Sequence, residues 1–576
     1  MKRILSFLKP YKLPITIAYS LTFIELVTEL LLPFFLGKMI NEGVQGQDLN
    51  NIIMWGSIMI GLAFLAFIAG IINSFYASHT SNSFAYDLRE ELFRKIQSFS
   101  FTNLNKFPTS ALVTRFTNDI RQIQNTVFMG LRIMVRAPLM VIGGVIMAFV
   151  VNAKLALIFL MTVPLLISFI FWVLKHASRM FRRVQTYVDT VNRVMQENLS
   201  NMRLIKAFIR RRFESDRFID ANRDLATMTR STFRFVESSM PVLLFIMNLS
   251  IIFILWFGNA QSIAGQTDVG DVVAVVNYAL RTSMAISMFT FITLGFSRAK
   301  ASADRIDEVL EVEVDLFDHD HAHKSKPITE GSISFDRVSF SYPNVNIPIL
   351  NDISFTVKSR ENLAIIGATG SGKTTMFQLI PRLYDVTSGE IYIDEQPISD
   401  YTLKSLRSSI GYIPQNPLLF SGSIYENIAW GKEHATKDDV LQAAKDAQIH
   451  ETIMKLPQQY ETIIGQRGVN LSGGQQQRLS IARALIRQPK ILMFDDSTSA
   501  LDLATESRLL QALESYDCTM LMITQKISTA MRADRILLLD HGQVLAIGTH
   551  DELLKSSSLY QNIVESQFGK ELPHVY

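Results

Sequence analysis

Cysteine is almost absent, with Cys518 the one thiol in 576 residues. A single thiol can form no internal disulfide and build no zinc site, which fits a reducing compartment for the part of the chain that carries it. Neither sign of charge prevails. The 56 Lys and Arg face 53 Asp and Glu for a formal +3, and that balance removes any general electrostatic case for a nucleic-acid partner. Charged residues make up 19% of the chain against 48% hydrophobic ones, which excludes a disordered polypeptide. Mean hydropathy is nonetheless +0.19, so apolar sequence must be concentrated locally. The length suggests several domains at roughly 150 residues each.

The concentration lies in the first half, as six long apolar stretches near residues 13–37, 52–78, 133–151, 154–174, 240–258 and 272–297. Most reach or approach the ~20 residues a helix needs to cross about 30 Å of hydrocarbon, so six spans are expected. The third is limited by Arg132, Arg136 and Pro138. Lys2, Arg3, Lys9 and Lys12 precede the first stretch, whereas the 45–48 and 260–262 connections have no basic residue. The positive-inside rule therefore places the N-terminus in the cytoplasm, and an even number of spans leaves everything after about residue 297 there too. The first stretch is too long for a secretory signal, lacks a small-residue cleavage site and contains Glu25 and Glu29, so it reads as a retained span. Two cytoplasmic connections of roughly 55 and 60 residues keep helical apolar spacing, as in Leu88, Leu92 and Ile96, so the spans are expected to continue as helices beyond the bilayer.

Thr22, Glu25 and Glu29 fall on one face of the first span. A charged side chain at the bilayer centre costs about 2.5–3.5 kcal/mol on insertion scales, so these carboxyls should face the bundle interior or a water-filled cavity. Two readings stay open: a transport cavity that favours cationic amphiphiles, or polar glue between helices, with Arg281 of the sixth span as a candidate partner.

After Arg305 the sequence turns polar, and 311–330 reads as a linker. His319, His321 and His323 stand at alternating positions there. They could hold a transition metal or simply belong to a solvated tether. From Gly331 strand signals alternate with helical ones. Leu363-Ala364-Ile365-Ile366 and Ile491-Leu492-Met493-Phe494 look like buried parallel strands of an α/β sheet. Between the first of these and a helix stands Gly367-Ala368-Thr369-Gly370-Ser371-Gly372-Lys373-Thr374, followed by Thr375, which matches the phosphate-loop pattern G-x-x-x-x-G-K-[ST]. Glycines let backbone N–H groups turn toward phosphates, Lys373 can reach the β/γ oxygens, and Thr374 offers a hydroxyl to Mg²⁺. Asp495, ending the second strand, supplies the acid expected opposite the metal. Leu471-Ser472-Gly473-Gly474-Gln475 opens a further helix as a second anion-binding start.

With this pentapeptide about 100 residues after a phosphate loop, the chain resembles an ATP-binding-cassette (ABC) transporter half-subunit of the exporter type. The resemblance implies a membrane α-helical bundle of six transmembrane helices with long cytoplasmic extensions, joined to an α/β P-loop nucleotide-binding domain. It places the transmembrane domain at 1–310, the linker at 311–330, the nucleotide-binding domain at 331–570 and a tail at 571–576. By resemblance Tyr342 stacks on adenine, Gln415 meets Mg²⁺ together with Thr374 and Asp495, and Ser499-Ala500-Leu501-Asp502 is the loop that crosses to a partner cassette. Phe107-Pro108-Thr109 and Ala207-Phe208-Ile209 resemble the coupling-helix regions. In the family two cassettes sandwich two ATP molecules, each held by the phosphate loop of one chain and the Leu471–Gln475 type of signature of the other.

Three departures from the family pattern stand out. The glutamate that polarises the attacking water is replaced by Asp496, the usual switch histidine by Gln525, and a glutamate of the Gly465-Gln466-Arg467-Gly468 loop by Gln466. A base displaced by ~1 Å can cost ~10²-fold in rate. The expectation is therefore a nucleotide site that binds but turns over slowly, an intact signature serving the other site, and a second, non-identical half-transporter as partner. This pattern resembles the degenerate-site subunit of heterodimeric bacterial multidrug exporters. It implies a plasma-membrane protein with both termini and the cassette cytoplasmic, exporting amphipathic small molecules through the lipid bilayer with ATP and Mg²⁺, and with no nucleic-acid partner. Lipid or peptide export and an ATP-occupancy sensor are the rival readings; no peptidase domain precedes the first span, which disfavours peptide maturation.

Overall fold

The structure, a computed structural model, describes residues 2–318, 327–343, 345 and 347–568. The three linker histidines and the tail at 571–576 lie outside the described residues. The chain divides into two compact units, Met1–Gln97 with Pro108–Val312, and Ser98–Phe107 with Glu313–Tyr576.

The first unit is a helical bundle. Among the described residues six helices are long and apolar enough to cross a membrane: Lys9–Gln45, Leu49–Gln97, Thr109–Val151, Ala153–Ser200, Arg211–Ile263 and Val269–Phe289. At 1.5 Å per residue the 49-residue helix Leu49–Gln97 is about 70 Å long, far more than a bilayer core requires. Its far end is not polar all round, because Leu88 and Leu92 are buried against neighbouring helices. Pro138 does not break the third span, since it sits in the first turn of the helix Arg136–Val151, where its missing N–H has no intrahelical acceptor to lose. The first span packs on the second, the fourth on the fifth and the third on the sixth. First and sixth spans meet through glycines: a Cβ on Gly270 would lie 2.1 Å from the Gly37 carbonyl oxygen, so no larger residue fits there. Asn41 Oδ1 accepts from the Gly270 N–H at 2.7 Å and locks that approach, a small-residue contact of the kind that holds helices together in lipid.

The second unit contains strands β1 (Ile333–Phe340), β2 (Leu350–Val357), β3 (Asn362–Ile366), β4 (Ser388–Ile393), β5 (Gln396–Pro397), β6 (Ile410–Ile413), β7 (Gly422–Ser423), β8 (Ile463–Ile464), β9 (Ile491–Asp495), β10 (Thr519–Ile523), β11 (Arg535–Asp540) and β12 (Gln543–Gly548). Six of them form a sheet in the order β12-β11-β3-β10-β9-β6, parallel from β11 to β6, with β12 antiparallel at its edge. Strands β3, β9 and β10 are buried along nearly their whole length, which explains their unbroken apolar runs. A separate antiparallel sheet has the order β2-β1-β4-β5. In the parallel sheet β10 lies between β3 and β9, so the ends of these three strands open side by side, where α/β sheets place their ligands.

Residues 98–107, expected inside a continuous membrane domain, instead belong with the second unit. The cause is polar. Ser100 Oγ donates to Asp315 Oδ1 at 2.5 Å, Asn103 Nδ2 to the Glu313 carbonyl at 3.2 Å, and Asn105 Nδ2 to the Tyr384 hydroxyl at 2.9 Å. Ser100 and Asn103 also form the capping box that starts the short helix Phe101–Asn105. Cys518 is buried just before β10, where burial pushes its thiol up to about 11, consistent with an unreactive packing residue.

Candidate functional site

The glycine-rich turn after β3 needs glycine at two points: φ is +85° at Gly370 and +101° at Gly372, the residue that precedes the helix Lys373–Leu379. Lys373 Nζ is drawn back over this turn, donating to the Gly367 carbonyl at 2.9 Å and the Ala368 carbonyl at 2.7 Å. Burial lowers the lysine pKa, and Asp496 and Asp495 oppose that shift. Thr374 Oγ1 donates to Asp495 Oδ1 at 3.0 Å. Asp495 is 2% exposed, and burial raises its pKa against the hydrogen bonds from Thr374 and Tyr412.

Asp496 has φ +48°, a left-handed backbone that aspartate tolerates better than most residues. Its N–H is held by the Ile523 carbonyl of β10 at 3.1 Å. The conformation turns the carboxylate toward two amides: Gln415 Nε2 donates to Asp496 Oδ2 at 3.3 Å and Gln525 Nε2 to the same oxygen at 3.1 Å. Burial raises the Asp496 pKa, opposed first by the Gln415 hydrogen bond. Gln525 is in turn fixed from behind, since Gln567 Nε2 donates to its carbonyl at 2.6 Å while Gln567 Oε1 accepts from the Ile527 N–H at 3.0 Å.

These groups line one cavity of about 380 Å³, to which Tyr342, Thr369, Thr375 and Ile349 also contribute. Tyr342 donates to Gln378 Oε1 at 3.1 Å and stands edge-on to Tyr384 at 5.3 Å. Among the described residues no cluster of three or more His, Cys, Asp and Glu side chains could cage a metal by itself. A threonine hydroxyl beside a single carboxylate is instead the donor set that Mg²⁺ uses when phosphate oxygens and water complete its shell.

The signature Leu471–Gln475 is not part of that cavity. Ser472 and Gln475 form the capping box of the helix Gly473–Leu485, with Gln475 Oε1 accepting from the Ser472 N–H at 2.8 Å. A Cβ at Gly473 would meet open space, and the Ala500 N–H of the neighbouring loop donates to Gln477 Oε1 at 3.2 Å. The signature helix and the 499–502 loop are thus hydrogen-bonded to each other, and Gly473 faces open space away from this chain's own phosphate site.

In the membrane unit Glu25 and Glu29 do face inward, and each has a guanidinium partner. Arg136 Nη1 lies 2.9 Å from Glu25 Oε1, Arg136 Nη2 2.5 Å from Glu29 Oε2, and Arg281 Nη1 3.2 Å from Glu29 Oε1. Sequence reasoning named Arg281 but treated Arg136 only as a limit on the third span. It also missed Tyr412, whose hydroxyl donates to Asp495 Oδ2 at 3.2 Å. The signal available was its place on β6, the strand beside β9.

A parallel sheet with a phosphate loop after β3, a buried acid at the end of β9 and a separate signature helix defines an ATP-binding cassette, here fused to six membrane helices. Residues 15–286 match the family described as ABC transporter transmembrane region and residues 350–499 the family described as ABC transporter. An uncharacterized ABC transporter ATP-binding protein of Bacillus subtilis, YfiB, is 55% identical over 571 residues, covering 99% of each chain. YgaD of the same organism, provisionally named a multidrug export ATP-binding/permease protein, is 32% identical over 98% of this chain and 99% of its own. A solved bacterial Atm1-family ABC exporter with ATP bound shares the fold with a TM-score of 0.80 at 24% identity, over 97% of this chain and 99% of that one. The chain belongs to the ABC transporter family, as a multi-pass half-transporter of the exporter type that binds and hydrolyses ATP and works as a dimer.

Proposed function

We propose that this chain is the degenerate-site half of a heterodimeric exporter of hydrophobic or amphipathic compounds. The observation that carries the reading is that two of the departures from the family pattern, Asp496 and Gln525, meet in one hydrogen bond, and that Gln415 donates to the same oxygen, Asp496 Oδ2. A carboxylate occupied by two amide donors is a weaker base, and its side chain is one methylene shorter than the glutamate it replaces. Gln525 can donate to a γ-phosphate but carries no proton to transfer. The phosphate loop, Thr374 and Asp495 keep the groups needed to hold a triphosphate.

In this reading Tyr342 supports the adenine, the backbone of 367–372 and Lys373 hold the phosphates, and Thr374, Asp495 and Gln415 hold Mg²⁺. Mg²⁺ held by these residues would supply charge neutralisation of the phosphate oxygens. Residues 471–475 complete the partner's site, where a partner glutamate activates water. ATP contacts made only in the closed pair of cassettes provide the differential affinity that drives closure. The helix Phe101–Asn105, hydrogen-bonded to Tyr384 and continuous in sequence with the second and third spans, offers closure a route to the membrane helices. Both termini and the cassette lie in the cytoplasm, following the distribution of Lys and Arg, and the protein resides in the plasma membrane.

The test compares steady-state ATPase activity of the purified chain with that of the chain co-purified with a second half-transporter, both reconstituted in liposomes. The expected result is slow turnover alone and fast, substrate-stimulated turnover of the pair. Equal rates would refute the division of labour.

A further inference from the structure

Glu29, Arg136 and Arg281, with Glu25 paired to Arg136 outside the lining, border a cavity of about 180 Å³ in the membrane unit, whose apolar wall includes Met140, Met284 and Met288. Two carboxylates against two guanidiniums leave it formally neutral. Hydrogen-bonding capacity is not balanced in the same way. Both oxygens of Glu29 are engaged, one by Arg136 and one by Arg281. A guanidinium has five N–H donors in one plane. Among the described residues Arg281 pairs with Glu29 alone, through Nη1, and its side chain stays 30% exposed. One helical turn before Arg136, Arg132 donates to Ser74 Oγ at 3.3 Å and lies over the Phe128 ring, adding a further positive charge to that helix. Glu25, which accepts from Arg136 through Oε1, does not line the cavity, so the unused capacity that faces the cavity is donor capacity. A cationic head group would have to displace a guanidinium from a carboxylate, whereas an anionic one can join the existing pairs.

We infer that this cavity receives amphiphiles bearing a carboxylate, whose head group bridges Arg136 and Arg281 beside Glu29 while the hydrocarbon chain leaves past the exposed Met284 and Met288. Planar carboxylate and guanidinium match as a fork, which gives the head group an orientation as well as a charge. Methionine side chains adapt to tails of different shape, so selection falls on the head group rather than on the tail. The inference deepens the export reading and rests on it for the fate of the bound molecule.

The experiment titrates three fluorescent probes, a dansyl-labelled undecanoate, its primary amide and its trimethylammonium counterpart, into the full chain in phosphatidylcholine nanodiscs without nucleotide. The carboxylate should bind about tenfold or more tightly than the other two, the value of one added charge-assisted hydrogen bond. Arg281→Gln should erase the difference. Glu29→Gln, which removes the competing carboxylate, should tighten the undecanoate further, a gain that a misfolded sample cannot produce. Equal binding of the three probes, or preferred binding of the trimethylammonium probe that Glu29→Gln abolishes, would overturn the inference. A carboxylate preference in nanodiscs without ATP-driven movement of the probe in vesicles holding the chain and a partner half-transporter would support the site and refute export. Movement without any head-group preference would do the reverse.

Discussion

At the scale of single residues, Asp496 concentrates the chemistry of the nucleotide site. Its left-handed backbone suits aspartate, and glutamate there gives up about 1 kcal/mol of conformational preference. Asp496→Glu combined with Gln525→His is expected to raise the ATPase rate of the lone chain by about tenfold or more, because a correctly placed base restores a term worth up to ~10²-fold. Single-turnover assays check this, and an unchanged rate would locate the limit away from the base. Much of this site is legible in the sequence because its parts are contiguous: the turn at 367–374 and the pentapeptide at 471–475 each carry their own geometry. The amide bracket around Asp496 is not legible in that way, since Gln415 and Gln525 arrive from loops after different strands and only the sheet order brings them together.

At the scale of elements, two buried acid pairs tie the cassette together. Lys526 Nζ meets Glu506 Oε2 at 2.7 Å and Thr529 Oγ1 donates to Glu506 Oε1 at 2.9 Å, joining the helix Leu503–Leu513 to the segment after β10. Glu506→Gln should lower cassette stability by about 1.5–3 kcal/mol, the cost of weakening a charge-assisted pair in a buried setting, read as a lower denaturation midpoint. Glu361, just before β3, is the other case. Burial pushes its carboxyl up, but the Arg535 guanidinium and the Lys358 N–H prevail and hold it below its ordinary value of 4.5. A carboxylate with a depressed folded pKa contributes stability that is full above the unfolded value and lost as pH falls through the folded one. Denaturation midpoints should therefore decline as pH drops below 4.5, and decline less steeply in Glu361→Gln.

Across the whole molecule, contacts between distant parts of the sequence were the least readable feature. The inward face of Glu25 and Glu29 follows from helical spacing, yet their main partner Arg136 lies 111 and 107 residues away, and hydropathy treats it only as an interruption. The boundary at Ser98–Phe107 is similar: apolar periodicity ends there in either domain, and only Tyr384, Asp315 and Glu313 decide to which it belongs. The dimer supplies the remaining prediction. Ser472→Ala should reduce turnover of the mixed pair by about tenfold or more while leaving ATP binding by the lone chain unchanged, as measured by nucleotide titration of each. A parallel loss in the lone chain would return the signature to its own site.

The side chain of Gln567 grips the main chain on both sides of Lys526, although it lies more than forty positions downstream of Gln525. The final described turn thus fixes the backbone on both sides of Lys526, next to the switch residue Gln525 of the proposed reading. A preparation trimmed just ahead of it would retain every recognisable motif and still misreport nucleotide affinity, so truncation studies of this cassette should begin beyond Gln567 rather than at the last strand, β12.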